Sequence, residues 1–270
     1  MNAALPIGVF DSGVGGLTVL RALRGALPAE SFVYLGDTAR LPYGTKSAGT
    51  ISRYAVQAAS ALVDRGIKLL VVACNTASAV AIDELRAQWP RLPVIGVVEP
   101  GAQAAVAASR SRRIAVIGTE STIRGGAYTR AITALAPEAT VLGRACPLFV
   151  ALAEEGWTDG AIAESIAHEY LATLVNDCDV LVLGCTHFPL LASAIARVIG
   201  PEIAIVDSAA TTAAAVAHRL GTDMLVRAGG PDARPDCVML ATDGRERFAR
   251  VGAGFLGMPL VADDVEIVDL

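Results

Sequence analysis

The sequence is poor in aromatic residues and in lysine, and it contains no cluster of basic residues. Aromatic residues make up 5% of the 270 positions, whereas apolar residues make up 53% and are mainly alanine, valine, leucine and isoleucine. Such apolar residues are typical of the packing between helices and a parallel sheet. The formal net charge is −5, and no run of Lys and Arg supplies the positive surface that nucleic-acid binding requires. We therefore expect no nucleic-acid partner.

Long apolar runs and paired cysteines are also missing. No uninterrupted apolar stretch reaches about 18 residues, so we expect no membrane-spanning helix and no membrane partner. The apolar start of the sequence has no basic segment before it and does not fit a signal peptide. The five cysteines include no Cys-x-x-Cys pair, which argues against a disulfide framework or a zinc site. These features predict a cytoplasmic protein with free thiols and no bound metal.

Short apolar runs alternate with segments of helical periodicity, such as 47–65 and 158–176. This alternation predicts βαβ units and a mainly parallel sheet, an α/β fold in which ligands bind at the carboxyl ends of the strands. The predicted strands are 7–10, 31–35, 69–73, 94–97, 114–117, 140–144, 180–183, 203–206 and 238–241.

The chain contains an approximate internal repeat. Segment 7–12 resembles segment 114–119, at an offset of 107 residues, and segment 69–76 resembles segment 180–187, at an offset of 111 residues. Two offsets that agree this closely predict a duplicated α/β unit and thus two pseudo-symmetric lobes.

The boundary between the lobes is predicted near Glu99-Pro100-Gly101, where a strand candidate gives way to residues that favour turns. We place the first lobe at residues 1–97 plus 208–270 and the second lobe at residues 98–207. The chain would return to the first lobe through Asp207 and Ser208.

Two cysteines occupy equivalent places in this repeat. Cys74 follows the apolar run 69–73, Cys185 follows the run 180–184, and polar residues suited to beginning a helix come after each. A single cysteine after an apolar run is more often a small buried hydrophobe. Two cysteines at corresponding strand ends predict thiols that face each other across a cleft. The remaining cysteines lack this context and are interpreted as structural: Cys146, Cys178 and Cys237.

A pair of opposed thiols suits a racemase. Such an enzyme removes the α-proton from one face of a planar intermediate and returns a proton to the other face, so it needs an acid/base group on each. A thiol has an ordinary pKa of about 8.5, near enough to neutrality for both protonation states to be used. The usual alternative is pyridoxal phosphate on a lysine, but Lys68 precedes a strand and Lys46 has no phosphate cradle beside it. We therefore expect no cofactor.

Four motifs resemble those of glutamate racemases, in the aspartate/glutamate racemase family. They are DSGVGG at 11–16, GDTARLPYG at 36–44, CNTAS at 74–78 and GCTHFPL at 184–190, with support from segments 98–101 and 146–150. Aspartate racemases also carry two cysteines but typically have Glu after the second Cys-Thr, so His187 favours the glutamate branch.

The resemblance implies an active site between two α/β lobes, with Cys74 and Cys185 as acid/base residues. It further implies catalytic assistance by Asp11 near Cys74 and by His187 and an acidic residue near Cys185. Glu154 matches the position of that acid better than its neighbour Glu155. The residues that the resemblance implies for substrate binding are Asp11, Ser12, Pro42, Tyr43, Gly44, Asn75, Thr76, Thr186 and His187. It also implies a homodimer and a role in supplying D-glutamate for the bacterial cell wall.

The two halves of such a site need not be chemically equivalent. An ionised Asp11 disfavours a thiolate at Cys74, whereas a cationic His187 favours the thiolate of Cys185. No Arg or Lys lies inside the cysteine motifs. We therefore expect backbone N–H groups, hydroxyl groups and helix N-termini to bind the substrate carboxylates.

Other interpretations stay open at the level of sequence. The glycine-rich turn after Asp11 does not fit Gly-x-Gly-x-x-Gly, so a nucleotide site is not expected. Asp37 either caps the turn that follows it or touches the substrate. The substrate is glutamate or, alternatively, aspartate, a hydantoin or another acid with an acidic α-carbon. A non-catalytic two-lobed binder of small acids is the third possibility, but it has no need for two matched cysteines.

Overall fold

The computed structural model describes residues 2–228 and 235–270. Residues 229–234, part of the predicted return segment 208–270, lie outside the described residues. The strands are β1 (Ile7–Asp11), β2 (Phe32–Gly36), β3 (Leu69–Val72), β4 (Val94–Gly96), β5 (Arg113–Gly118), β6 (Thr140–Ala145), β7 (Val180–Gly184), β8 (Ala204–Asp207), β9 (Cys237–Ala241) and β10 (Val265–Ile267). The helices are α1 (Leu17–Ala26), α2 (Ala48–Asp64), α3 (Asn75–Gln88), α4 (Val98–Ala108), α5 (Glu120–Gly125), α6 (Ala127–Leu135), α7 (Leu148–Glu154), α8 (Gly160–Leu171), α9 (Ala192–Ile199), α10 (Ser208–Thr222) and α11 (Arg245–Leu256).

The described strands form two parallel sheets flanked by helices. The first has the order β10-β9-β2-β1-β3-β4, and the second has the order β6-β5-β7-β8. Each of the nine predicted strands is present within one residue of its predicted bounds, and β10 is an additional strand. The predicted two-lobed α/β fold is therefore confirmed.

The internal repeat is visible in the strand order and in the register. The order β2-β1-β3-β4 in one sheet corresponds to β6-β5-β7-β8 in the other. Ile7 pairs with Leu69, and the positions that correspond to them in the repeat, Ile114 and Val180, pair in the same way. The two sheets therefore present equivalent strand ends, those of β1 and β3 in one and of β5 and β7 in the other.

The interior strands are buried on both faces, as expected for parallel strands covered by helices. All residues of β1, β3 and β7 are buried. The chain builds the first four strands of the first sheet, then the whole second sheet, and returns to add β9 and β10 beside β2. The helix that follows the second sheet, α10, packs against both α1 and α4. The exact lobe boundaries at 97/98 and 207/208 remain a prediction.

The segment Glu99-Pro100-Gly101 is helical, and its interpretation as a turn is wrong. It forms part of the first turn of α4, which begins at Val98. Proline is tolerated there because the N–H groups of a first helical turn have no partner within the helix. Glu99 also places a negative charge near the positive end of the helix dipole. Proline and glycine signals alone do not distinguish a turn from a helix start.

Candidate active site

A cavity of about 430 Å³ lies where the carboxyl ends of the two sheets meet. Both lobes contribute to its wall, in agreement with the general position of ligand sites in parallel α/β folds. It is lined by Ser12, Leu41, Pro42, Tyr43, Gly44, Thr45, Cys74, Asn75, Thr76, Thr119, Glu120, Pro147, Val150, Ala151, Glu154, Cys185, Thr186, His187 and Arg247. The structure thus brings together every residue predicted for the site except Asp11, which does not line the cavity.

The two thiols lie at equivalent strand ends on this one cavity. Cys74 follows β3 and is the N-cap of α3, where its sulfur accepts a hydrogen bond from the Ala77 N–H at 3.4 Å. Cys185 directly follows β7. Their relative exposures are 4% and 5%, so each sulfur reaches the cavity from an otherwise buried position. The two thiols therefore reach the same cavity from different lobes.

The surroundings of Cys74 favour its protonated form. The thiol donates a hydrogen bond to the Ser12 hydroxyl at 3.4 Å. Burial, followed by the negative charge of Asp11, raises the pKa of Cys74 to about 12. Cys74 is therefore a protonated thiol at neutral pH.

Asp11 lies beneath the cavity wall. It is the last residue of β1 and is completely buried. Its Oδ2 accepts a hydrogen bond from the Gly13 N–H at 2.9 Å, while its Oδ1 has no partner among the described residues. Burial raises the pKa of Asp11, and the positive charge of His187 opposes that rise. An unpaired, buried carboxylate oxygen is suited to accepting a proton.

Cys185 has a different set of neighbours. Its sulfur lies 3.8 Å from Nδ1 of His187, and Nε2 of His187 lies 3.1 Å from Oε1 of Glu154. Burial disfavours the imidazolium, but the hydrogen bonds with Cys185 and Glu154 and the nearby negative charges raise the pKa of His187 to about 10. The hydrogen bond from His187 holds the pKa of Glu154 below its ordinary value, against the effect of burial. His187 is therefore a cation at neutral pH, paired with Glu154; the neighbouring Glu155 is exposed and does not line the cavity.

Sequence reasoning missed Arg247 in this cluster. Arg247 lies in α11, near the end of the chain, and its Nη2 donates a hydrogen bond to Oε2 of Glu154 at 2.5 Å. It is separated from the motifs in sequence, and only the return of the chain to the first sheet brings it to the cavity. No pattern around residue 247 signals this position.

Polar groups of the cavity wall are suited to binding a carboxylate. Oδ1 of Asn75 accepts a hydrogen bond from the Tyr128 hydroxyl at 2.7 Å, and its buried Nδ2 has no acceptor in the described part of the chain. The hydroxyl of Thr76 lies 3.0 Å from that of Thr119 and 3.3 Å from that of Thr122, both in the second lobe. An unpaired amide donor beside hydroxyls and a helix N-terminus provides donors for an anionic ligand.

Asp37 holds Tyr43 in place and does not line the cavity. The Tyr43 hydroxyl donates to Oδ2 of Asp37 at 2.5 Å, and Thr242 and Arg40 donate to the same carboxylate. Asp37 precedes a 3₁₀ turn but makes no side-chain capping bond to it. Neither of the two roles considered from the sequence, cap or substrate contact, describes this geometry.

Lys68 lies just before β3, as predicted, and it does not line the cavity. Its backbone N–H donates to the carbonyl of Pro6, the residue before β1, and its fully buried side-chain amine contacts Glu30 at 2.5 Å. Within residues 2–228 and 235–270, no group of three or more His, Cys, Asp or Glu side chains is arranged to hold a metal.

No helix in the same residues has the length and apolarity needed to cross a membrane.

Comparison with known proteins gives concordant matches. Residues 8–216 match the family described as Asp/Glu/Hydantoin racemase. A glutamate racemase from Geobacter metallireducens is 54% identical over 252 residues, which cover 93% of this chain and 92% of that protein. The structure of a glutamate racemase isoform from Bacillus anthracis matches with a TM-score of 0.93 at 35% identity, covering 100% and 99% of the two chains. A glutamate racemase from Francisella tularensis, solved in complex with D-glutamate, matches with a TM-score of 0.90 at 35% identity, covering 99% and 98%.

Proposed function

The chain belongs to the Asp/Glu/Hydantoin racemase family, and from this premise we propose that it interconverts L- and D-glutamate with Cys74 and Cys185 as paired acid/base thiols. The observation that carries the proposal is the placement of two thiols, at equivalent strand ends of a duplicated fold, on one cavity. The near-full-length likeness to glutamate racemases supports glutamate as the substrate.

The proposed reaction uses one thiolate and one thiol in each turnover. With one enantiomer, the Cys185 thiolate removes the α-proton, and the Cys74 thiol donates its proton to the opposite face of the planar carbanion. The cavity then holds a Cys185 thiol and a Cys74 thiolate, which is the arrangement needed for the reverse direction. His187 places a positive charge beside Cys185, and Asp11 lies where it is able to exchange a proton with Cys74.

The substrate carboxylates need donors, and we assign these to the cavity wall. Nδ2 of Asn75, the hydroxyls of Ser12 and Thr76 and the N-terminus of α3 supply them in the first lobe. Thr186 and the hydroxyl of Thr119 supply them in the second lobe. Pro42, Tyr43 and Gly44 form the wall that limits the length of the substrate. These assignments rest on position in the cavity and on the chemistry of the groups.

The decisive experiment removes each thiol separately. We expect Cys74→Ala and Cys185→Ala each to slow racemisation of glutamate by about 10²–10⁴-fold or more, because each face of the α-carbon loses its acid/base group. Circular dichroism of solutions of pure L- or D-glutamate measures the rate without added cofactor. An unchanged rate in either variant contradicts the two-thiol mechanism.

The control for the thiol experiment is Cys178→Ala, since Cys178 is outside the cavity. We expect this variant to keep the wild-type rate. Far-UV circular dichroism checks that all three variants remain folded. Turnover of L-aspartate in the same assay distinguishes the alternative substrate, because an aspartate rate above the glutamate rate contradicts the proposed specificity.

We further propose the setting in which this activity operates. The resemblance to glutamate racemases supports a cytoplasmic enzyme that supplies D-glutamate for peptidoglycan synthesis and acts as a homodimer. Rescue of bacteria that require D-glutamate tests the first part. Light scattering of the purified protein tests the second.

A further inference from the structure

A chain of three side chains crosses the cleft and ends at Cys185. Arg247 in α11, which belongs to the first lobe, donates to Oε2 of Glu154 in α7, which belongs to the second lobe. Glu154 uses its other oxygen, Oε1, for His187 at 3.1 Å, and His187 lies 3.8 Å from the sulfur of Cys185. Each oxygen of the Glu154 carboxylate thus has its own partner, one from each lobe.

The arrangement at Cys74 is different, because its partners come from its own lobe. The Cys74 sulfur bonds to Ser12 and to the N–H of Ala77, and Asp11 is held by the N–H of Gly13. The repeat position of His187 is Thr76, which cannot carry a charge. Of the two thiols, Cys185 is therefore the one whose acid/base partner is fixed by a residue across the cleft.

Arg247 acts on the orientation of Glu154. A carboxylate held at both oxygens has its plane fixed, whereas one held only by His187 is free to rotate about that bond. The side chain of Glu154 is 16% exposed and that of Arg247 is 53% exposed, so this contact between the lobes lies at the mouth of the cavity.

We propose that Arg247 is a positioning residue that completes the Glu154–His187 pair from the opposite lobe and thereby acts on the proton transfer at Cys185 more than on the transfer at Cys74. The inference rests on the proposed function, since it concerns the efficiency of one of its two proton transfers. It assigns a catalytic consequence to the C-terminal segment, which carries no family motif.

The test compares the two proton transfers in the intact two-thiol protein. We expect Arg247→Gln to lower kcat/KM for glutamate at least about threefold, a modest effect because the ion pair is half-exposed. Substrates deuterated at the α-carbon distinguish the transfers. The enantiomer deprotonated by Cys185 is identified as the one whose α-proton no longer exchanges with deuterated solvent in Cys185→Ala. In Arg247→Gln, the deuterium isotope effect on kcat/KM should rise for this enantiomer, and it should not rise for the other.

Two further variants separate positioning from a general structural effect. Arg247→Lys keeps the charge and should recover part of the loss. Arg250→Gln, on the same helix and exposed, removes an arginine that has no ion pair in the described residues, and it should keep the wild-type rate and isotope effects.

The outcomes distinguish this inference from the proposed function. A wild-type protein that leaves glutamate unchanged contradicts the proposed function, and this inference fails with it. A wild-type protein that racemises glutamate, with Arg247→Gln matching Arg250→Gln or raising the isotope effect equally for both enantiomers, overturns the inference alone.

Discussion

The two thiols have different electrostatic surroundings, although the repeat places them at equivalent positions. Cys74 faces a buried carboxylate, and its pKa is raised to about 12 by burial and by that charge. Cys185 faces an imidazole whose pKa is raised to about 10 by its bonds to Cys185 and Glu154, in spite of burial. The equivalent strand ends of the repeat therefore place the two sulfurs in environments of opposite charge, a carboxylate beside Cys74 and an imidazolium beside Cys185.

The charge of His187 depends on Glu154, which gives a prediction for pH. In Glu154→Gln the carboxylate is replaced by a neutral amide, so the pKa of His187 should fall from about 10 towards its ordinary value of 6.5 or below it. The alkaline limb of kcat/KM should move to lower pH accordingly. Because the chain has three histidines, NMR titration of their imidazole resonances measures the shift directly.

The same substitution should also change how the stability of the protein depends on pH. The folded-state pKa of His187 lies above its ordinary value, so its ionisation stabilises the fold in full below pH 6.5 and loses this effect as the pH rises through about 10. Glu154→Gln should weaken that dependence. Glu155→Gln is the matched control, since Glu155 is the exposed neighbour. Equal titration of His187 in both variants would show that Glu154 does not hold the charge.

At the scale of single residues, the sequence predicts those site residues that lie within its motifs. The motif residues reach one cavity because each follows a strand whose carboxyl end is turned to the cleft. The sequence allows Asp37 to cap a turn or to touch the substrate, whereas in the structure it accepts a hydrogen bond from the Tyr43 hydroxyl. That contact depends on the path of the backbone between the two residues, which the order of residues does not reveal. Arg247 was missed for a related reason. Its contact with Glu154 joins residues 93 positions apart and depends on side-chain reach.

The loop between β1 and α1 is the element that brings the first lobe against His187. A Cβ atom on Gly15 would lie 2.5 Å from Cε1 and Nδ1 of His187 and would also meet the Thr186 hydroxyl. In addition, the Thr18 hydroxyl in α1 donates to the carbonyl of Thr186 at 3.0 Å. The loop and α1 thus form a tight contact between the lobes, for which a glycine is required at position 15.

We expect Gly15→Ala to lower kcat/KM by about 10-fold or more, because His187 is held by Glu154 and Cys185 and cannot move aside without losing them. The circular dichroism assay with glutamate measures the loss. Gly25→Ala, in the same helix-and-loop unit, is the control. A Cβ atom there meets no described atom within 4 Å, so the variant should keep its activity and its stability. Equal activity in the two variants would contradict the close approach.

At the scale of elements, strands were easier to predict than the ends of helices. Buried parallel strands are continuous apolar runs, and these runs set the bounds of β1, β3 and β7. In contrast, β10 has only three residues, and the charged Glu266 lies between its two apolar ones, so its sequence contains no apolar run. The start of α4 was missed because proline and glycine occur both in turns and in first helical turns. Short edge strands and helix starts are decided by tertiary contacts more than by local composition.

At the scale of the whole molecule, the cavity and a fully buried ion pair lie at opposite ends of the first sheet. The carboxyl ends of β1 and β3 face the cavity. At the amino ends, the Lys68 amine is fully buried and donates to Glu30 and to the carbonyls of Ala3 and Leu225. Glu30 in turn accepts the N–H of Arg227 at 2.8 Å. This ion pair therefore joins the start of the chain, the core of the sheet and the segment after α10.

Removing one member of that buried pair should destabilise the protein without altering its chemistry. We expect Lys68→Met to lower the free energy of unfolding by about 3–5 kcal/mol, because the buried carboxylate of Glu30 loses the positive charge that is paired with it. Lys46→Met is the control: Lys46 is the other lysine of the chain, has no ion pair in the described residues, and should change stability by less than about 0.5 kcal/mol. Denaturant unfolding measures both. The kcat/KM of folded Lys68→Met should equal that of the wild type, since the ion pair does not line the cavity. Equal losses of stability in the two lysine variants would contradict this prediction. A lower kcat/KM in folded Lys68→Met would contradict it as well.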